Sequence, residues 1–161
     1  MRSIIAKKPL SQTRGFSMIE ILVTVVVLSI GLLGLAGMQL TGLKYNHSAY
    51  LRSQATLLAS DIIDRMRANR KMARQGNYDI AIDAEAGGTS CTAITANCSP
   101  ADLAAADLAE WKQQLQDLLP AGDGSISRTI NGSEIRFTVT IQWDDTRGEL
   151  PPTQLPVETV L

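Results

Sequence analysis

The stretch RGFSMIEILVTVVVLSIGLLGLAGM, residues 14–38, passes from a basic residue through one glycine into a long apolar run. The 18 residues from Ile21 to Met38 include no charged residue and no proline. Roughly 20 helical residues, at about 1.5 Å each, cross the apolar core of a bilayer. The stretch therefore predicts a membrane-spanning helix, and a single acid, Glu20, lies at its start.

Charge is distributed unevenly on the two sides of this run. The first 15 residues hold four basic side chains and no acid, whereas the rest of the chain holds 11 basic and 16 acidic side chains, a net charge of −5. The positive-inside tendency places the basic leader in the cytoplasm and everything after Lys44 outside it. Because phosphate binding requires a basic face on the working domain, this acidic domain argues against a nucleic-acid partner.

A removed secretory signal peptide is the alternative interpretation of a basic start followed by an apolar run. Such a peptide ends in small residues of an A-x-A-like pattern, where it is cleaved. The stretch LGLAGMQLTGLK, residues 33–44, matches that pattern poorly, and the apolar run is longer than a signal peptide needs. A retained anchor is therefore the prediction.

Helical spacing continues beyond Lys44. Apolar residues recur there at intervals of four, three, four and four, namely Leu51, Ala55, Leu58, Ile62 and Met66. Asp61 and Arg65 form an i, i+4 pair beside this row. With no proline or turn cluster in between, we predict one helix from about Phe16 to about Arg74. The rest of the chain is too short to cover it, so its first half requires lipid or other subunits as partners.

Four glycines interrupt the predicted helix, at Gly31, Gly34, Gly37 and Gly42. One interpretation is that they are simply tolerated in a membrane helix. The other is that they permit close helix contact, or a stretch that bends or loosens on assembly.

An irregular region follows residue 75 and contains both cysteines, Cys91 and Cys98. Outside the cytoplasm, two cysteines this close in sequence favour a disulfide that closes a small loop. Two thiols cannot form a structural zinc site alone, and the single histidine, His47, is more than forty residues away. We therefore predict the disulfide Cys91–Cys98 and no metal.

A second helix is predicted after the cysteines. Ser99 and Pro100 have the character of an N-cap followed by proline at the first helical position. Apolar residues then continue at helical spacing until Pro120, and Trp111 among them is interpreted as a core residue rather than a ligand contact.

Beyond this helix the apolar period changes to two. Ile126 to Ile130 precede the hairpin signal Asn131-Gly132, and alternating apolar residues follow from Ile135 to Trp143. The sequence LPVETVL, residues 155–161, alternates more weakly and predicts an edge strand. The predicted fold class is α+β, with the outer half of the long helix packed on a small antiparallel sheet.

The segment RGFSMIE, residues 14–20, resembles the processing site of type IV pilin-like precursors. The resemblance rests on a basic leader ending in glycine, then phenylalanine, a glutamate at the fifth mature position and an apolar helix. Ser17 and Met18 depart from the commoner Thr and Leu. The resemblance implies cleavage between Gly15 and Phe16 by a prepilin peptidase, N-methylation of Phe16, and a role for Glu20 in setting subunit register.

The outer part of the chain resembles PilV-type minor pilins. The resemblance is carried by the early cysteine pair, the segment CSPADLAAADLAEWKQQLQDLLP at residues 98–120, and VTIQWDD at residues 139–145. It implies a minor pilin that acts in assembly or initiation of type IV pili, and hence in surface pili, twitching motility or adhesion. Major pilins often carry a helix-bending proline in the apolar segment and a disulfide near the C-terminus, unlike this chain.

The resulting organisation has four parts. A leader (1–15) precedes an assembly helix (16–43), the extracytoplasmic half of the long helix (44–74) and an α+β head (75–161). The implied partners are the prepilin peptidase, other minor pilins, the major pilin and, before assembly, inner-membrane lipid. The implied location is the bacterial inner membrane, with a cytoplasmic N-terminus and a periplasmic head, and then the pilus.

Three other functions are compatible with parts of the sequence. A type II secretion pseudopilin shares the leader, the glutamate and the fold. An enzyme is disfavoured because no nucleophile motif, phosphate loop or ligand cluster accompanies His47, and no cofactor is expected. Asp144, Asp145, Glu149 and Asp123 are candidate calcium ligands, although solvated turn acids are the simpler interpretation. The Thr138, Thr140 and Gln142 face is a candidate adhesin surface or a plain solvated sheet.

Overall fold

The computed structural model describes residues 15–88, 91 and 98–161. In chain order the elements are α1 (Met18–Ala68), α2 (Arg70–Gln75), α3 (Pro100–Leu118), β1 (Asp123–Asn131), β2 (Glu134–Trp143) and β3 (Thr153–Val160). The predicted α+β class, a long N-terminal apolar helix packed against a small antiparallel sheet, is confirmed. The chain divides into two compact units, one ending at Lys44 and the other running from Tyr45 to Leu161.

Helix α1 begins two residues later than the predicted start at Phe16. Residues 15–17 lie outside helix and strand, and the Ser17 carbonyl accepts hydrogen bonds from the backbone N–H of Glu20 at 3.0 Å and of Ile21 at 3.3 Å. Ser17 is therefore the last residue before the helix.

The single helix predicted to about Arg74 is interrupted at Asn69. Its φ of −112° and ψ of 45° lie outside the helical region, and α1 ends at Ala68 before the separate short helix α2. The Asn69 side-chain amide donates to the Pro100 carbonyl at 2.7 Å. The break therefore ties the end of α1 to the start of α3.

The core of the second unit lies between α1, α3 and the sheet. Helix α1 contributes the predicted apolar row together with Ala59 and Ile63, α3 contributes Trp111 and Leu115, and β2 contributes its inward residues. Trp111 is fully buried, as predicted, and its indole Nε1 donates to the Leu58 carbonyl of α1 at 3.1 Å. This bond fixes α3 against α1.

Helix α3 begins where the sequence predicted. The Ser99 hydroxyl accepts from the Asp102 backbone N–H, and the Asp102 carboxylate accepts from the Ser99 backbone N–H, which is a capping box. The pKa of Asp102 is held below its usual value by hydrogen bonds from the Ser99 hydroxyl and backbone N–H. Pro100 occupies the first turn.

The three strands form an antiparallel sheet in the order β1-β2-β3. The inward residues Phe137, Val139, Ile141 and Trp143 are buried, which confirms the predicted alternation. The hairpin turn differs by one residue: Asn131 pairs with Glu134, so Gly132 and Ser133 form the loop. Gly132 has a φ of 62°, and its position at the start of a two-residue loop suits a glycine. Strand β3 is the predicted edge strand.

Candidate processing and assembly site

The predicted cleavage bond, Gly15–Phe16, precedes α1 in residues that have no regular structure. Phe16 is 81% exposed, and no heavy atom of the described residues lies within 4 Å of the Cβ position that a side chain at Gly15 would occupy. Within the described part of the chain, this bond is therefore open to solvent.

Glu20 lies in the first turn of α1, four residues after Phe16. An acid at this position suits the positive end of the helix dipole. Among residues 15–88, 91 and 98–161, none donates a hydrogen bond to the Glu20 carboxylate or forms an ion pair with it. The described part of one chain thus provides the carboxylate with no cationic partner.

The apolar segment of α1 is uncovered along its whole length. Its large apolar side chains between Ile21 and Leu43 are 49% to 77% exposed. Among the described residues, α1 is the one helix long and apolar enough to cross a membrane. An apolar surface this large marks a membrane or protein contact.

The hydroxyl groups of that segment form hydrogen bonds within the helix. The hydroxyls of Thr24, Ser29 and Thr41 donate to backbone carbonyls one turn earlier, at 2.8, 2.7 and 3.0 Å. Added Cβ atoms at Gly31, Gly34, Gly37 and Gly42 would meet nothing within 4 Å among the described residues. The described part of a single chain therefore provides no packing reason for these glycines.

The predicted disulfide is present. Cys91 and Cys98 are bonded, with their Cα atoms 6.0 Å apart. Residues 92–97, between them, lie outside the described residues. The bond closes this loop immediately before the cap of α3.

Three of the four candidate calcium ligands have separate roles. The Asp144 carboxylate accepts from the Thr146 N–H at 2.8 Å, and its pKa is lowered by the backbone N–H groups of Gly148 and Thr146. Asp145 accepts from the Ser48 hydroxyl of α1 at 2.6 Å, and Asp123 pairs with Lys112. Among the described residues, no three His, Cys, Asp or Glu side chains are grouped to hold a metal.

Sequence reasoning missed a polar cluster that joins α1, α3 and the segment after α2. Arg65 binds Asp61 at 2.9 Å, as its spacing predicted, but also Glu110 at 2.7 Å and Asp107 at 3.4 Å on α3. The hydrogen bond that Arg65 donates to the Glu110 carboxylate raises the pKa of Arg65, and its effect exceeds the opposing effect of burial. Buried Tyr78 donates its hydroxyl to Asp107 at 2.6 Å.

A second missed pair, Lys112 and Asp123, holds α3 against β1 and the loop before it. Lys112 also donates to the Ala81 carbonyl at 3.2 Å, and Asp123 accepts from the Asp83 N–H at 2.6 Å. Burial raises the pKa of Asp123, but hydrogen bonds from Lys112 and two backbone N–H groups outweigh it and lower the pKa. No sequence signal pairs these two residues, because they meet only after the chain reverses at Pro120.

Two family models match consecutive parts of the chain. Residues 10–36 match the prokaryotic N-terminal methylation motif, and residues 37–109 match the model described as type IV pilin Tt1218. No curated protein and no solved structure matches the chain. The first match covers the candidate cleavage bond and Glu20, and the second covers the C-terminal part of α1, the disulfide and the first half of α3.

Proposed function

We propose that this chain, which carries a type IV pilin domain behind an N-terminal methylation motif, is a minor subunit of a type IV pilus. The two matches support a pilin subunit that a prepilin peptidase processes and that assembles with other pilins. The observation that carries the proposal is the uncovered apolar segment of α1 directly after the motif. The described part of one chain leaves this segment exposed, whereas a membrane and then a filament can bury it.

The minor role is inferred from the features that resemble PilV-type pilins. The apolar segment has glycines and no helix-bending proline, and the disulfide lies before α3 instead of after the sheet. Both features differ from the common pattern of major pilins. We place the chain among other minor pilins and the major pilin, in assembly or initiation of the filament.

Cleavage between Gly15 and Phe16 is the proposed processing step. The bond lies outside the helix and is exposed, which suits entry into a peptidase site. Cleavage replaces the leader, with its four basic side chains, by one cationic amine at Phe16. Methylation of that amine retains its positive charge.

Glu20 is proposed to pair with the Phe16 amine of an adjacent subunit. The described part of the chain supplies no partner, and an unpaired carboxylate in an apolar filament core is costly. A wrong axial stagger leaves both charges unpaired, so the pair selects one register. Before assembly, Glu20 lies near the cytoplasmic boundary of the inner membrane with the head in the periplasm.

Mass spectrometry of the N-terminus of the chain purified from membranes tests the processing proposal. We expect a first residue of N-methylated Phe16. An intact Met1, or cleavage after Gly42 as for a signal peptide, would contradict it. In a deletion strain, loss of surface pili and twitching with normal exoprotein release supports the pilus. The reverse result assigns the chain to type II secretion instead.

A further inference from the structure

Three segments are joined at the end of the second unit where the chain enters it. The Asp145 carboxylate accepts from the Ser48 hydroxyl of α1 at 2.6 Å, and the Asp144 backbone N–H donates to the Pro120 carbonyl at 2.8 Å. These bonds attach the loop between β2 and β3 both to α1 and to the turn after α3. We name this end the entry end and define it by residues 45–48, 118–122 and 144–152.

Helix α3 leads to the entry end because it runs antiparallel to α1. Its Asp107 binds Arg65, and Trp111, one turn later in α3, binds the carbonyl of Leu58, which is earlier in α1. The hairpin between β1 and β2 lies at the other end of the sheet. Strand β1 has nine residues, so the hairpin is about 26 Å from the entry end. The two ends of the unit can therefore be compared.

The surface of the entry end is apolar in two of its segments. Leu118 and Leu150 are 47% and 64% exposed. Exposed as well are Pro120, Ala121, Pro151 and Pro152. Residues 118–122 have no charged side chain, and the two exposed charges of the loop, Arg147 and Glu149, have opposite signs. Exposed apolar residues gathered in this way mark contact with a membrane or a protein.

The loop can approach lipid without presenting unpaired backbone N–H groups. Unpaired groups of this kind are what keeps irregular backbone away from hydrocarbon. Every N–H from residue 146 to residue 150 is directed to an oxygen of the loop itself, and the next two residues are prolines, which have no N–H. The acceptors are the Asp144 carboxylate for Thr146, Arg147 and Gly148, and oxygens of Thr146 for Glu149 and Leu150.

Tyr45, the first residue of the second unit, relates the entry end to the membrane. It follows Leu43, the last residue of the apolar segment, by two positions and is 72% exposed. Tyrosine favours the membrane–water interface, where its ring is in an apolar setting and its hydroxyl is hydrated. Ser48 is three residues further along α1, about 5 Å. Because the headgroup region is about 5–8 Å thick, the loop bound to Ser48 lies at its level.

We propose that the entry end rests on the lipid surface of the inner membrane before assembly, with Leu118 and Leu150 inserted at the level of the headgroups. This contact rests on the proposed anchoring of the chain by its apolar segment. Since the exposed charges of the loop cancel, burial of apolar surface drives the contact rather than attraction to anionic lipid. The contact is lost when the chain leaves the membrane for the filament.

Photo-cross-linking of the full chain in vesicles tests the contact. Chain with p-benzoylphenylalanine in place of Leu150 is reconstituted at a low protein-to-lipid ratio in phosphatidylethanolamine and phosphatidylglycerol, and lipid adducts are measured by mass spectrometry after irradiation. The matched control has the same photoreactive residue in place of Ile130, which is 59% exposed at the hairpin end. We expect about tenfold more lipid adduct at position 150 than at position 130.

The same photoreactive residue in place of Ile30, within the apolar segment, separates the failures of the two proposals. Lipid adduct at position 30 without an excess at position 150 over position 130 overturns only the entry-end contact. A product at position 150 that joins two copies of the chain instead of lipid does the same. No lipid adduct at position 30 overturns the anchoring as well. If the Leu150 variant lowers the melting temperature, the same comparison at Leu118 decides.

A substitution in the loop tests whether its apolar side chain holds the turn on the lipid. With the photoreactive residue in place of Leu118, Leu150→Asn should lower the lipid adduct about threefold, because the loop and the turn are joined through Asp144 and Pro120. Ile130→Asn is the matched control and should leave the yield unchanged. An unchanged yield with Leu150→Asn overturns the contact.

Discussion

Tyr78 shows how one side chain can hold three segments together. It is fully buried, its hydroxyl donates to Asp107, and the Asn69 amide lies 3.5 Å from the same hydroxyl. Burial, together with the hydrogen bond to Asp107, raises the pKa of Tyr78, so it stays protonated as a donor. The side chain connects the break after α1, the segment after α2 and the middle of α3.

Tyr78→Phe should lower the free energy of unfolding by about 1–3 kcal/mol, because Asp107 loses its hydroxyl donor in a buried setting. Urea unfolding of the full chain in detergent, followed by tryptophan fluorescence, measures the change. Tyr50→Phe is the matched control, since that ring is exposed, and it should change the value by less than about 0.5 kcal/mol. Equal effects of the two variants would show that the Tyr78 hydroxyl contributes nothing.

For single residues, the sequence predicted the contacts between side chains that are only three or four positions apart. The Asp61–Arg65 pair and the Ser99 cap follow from separations of four and three residues, and both are present. The Tyr78–Asp107 bond joins residues 29 apart, and neither residue type implies the other. Contacts of that kind depend on where the chain returns, which local patterns do not specify.

At the scale of elements, α3 and β1 approach each other closely at Gly124. A Cβ at this position would lie 2.6 Å from Trp111 Cη2 and 2.9 Å from Leu115 Cδ1. The indole of Trp111 cannot move away freely, because its Nε1 is bonded to the Leu58 carbonyl. The glycine thus allows the helix to lie directly on the first strand.

Gly124→Ala should therefore destabilise the head by about 1–3 kcal/mol through overpacking. Thermal unfolding of the full chain in detergent measures the effect. Gly87→Ala is the control, because no heavy atom of the described residues lies within 4 Å of its added Cβ, and its melting temperature should match that of the wild-type chain. A wild-type melting temperature for Gly124→Ala would mean that α3 can shift without cost.

Periodicity predicted the type and order of the elements, but their ends depended on tertiary contacts. The apolar row of α1 gave no sign of the break at Asn69. There the Asn69 side chain donates a hydrogen bond to the carbonyl of Pro100, which lies far away in the sequence. The hairpin turn moved from Asn131-Gly132 to Gly132-Ser133 because the pairing of β1 with β2 sets the register.

For the molecule as a whole, the N-terminal segment was the most informative part of the sequence. Its basic leader, glycine, acid and apolar run follow one another in the chain. The motif that they form can therefore be recognised without knowledge of the fold. Subunit contacts lie at the other extreme, since they require a second chain. Glu20 combines both cases. Its position is evident from one sequence, whereas its proposed partner belongs to another molecule.

Glu20→Gln should leave membrane insertion and cleavage unchanged while lowering incorporation into pili by about tenfold, because the Phe16 amine then lacks its counter-charge. The ratio of chain in sheared pili to chain in membranes measures incorporation, and N-terminal mass spectrometry verifies processing. Glu149→Gln, an exposed acid of the head, is the matched control. Wild-type incorporation of Glu20→Gln would contradict the registry role.

Two of the polar contacts that hold α1 to the rest of the second unit also have a mechanical meaning. Asp145 attaches to Ser48, and Trp111 attaches to the Leu58 carbonyl, about 15 Å further along the same helix. Tension applied along that helix loads both attachments and the buried apolar row between them in shear, rather than peeling them apart one at a time. Resistance to forced unfolding depends on the barrier to unfolding rather than on equilibrium stability alone. A head joined in this way is suited to a fibre that is pulled.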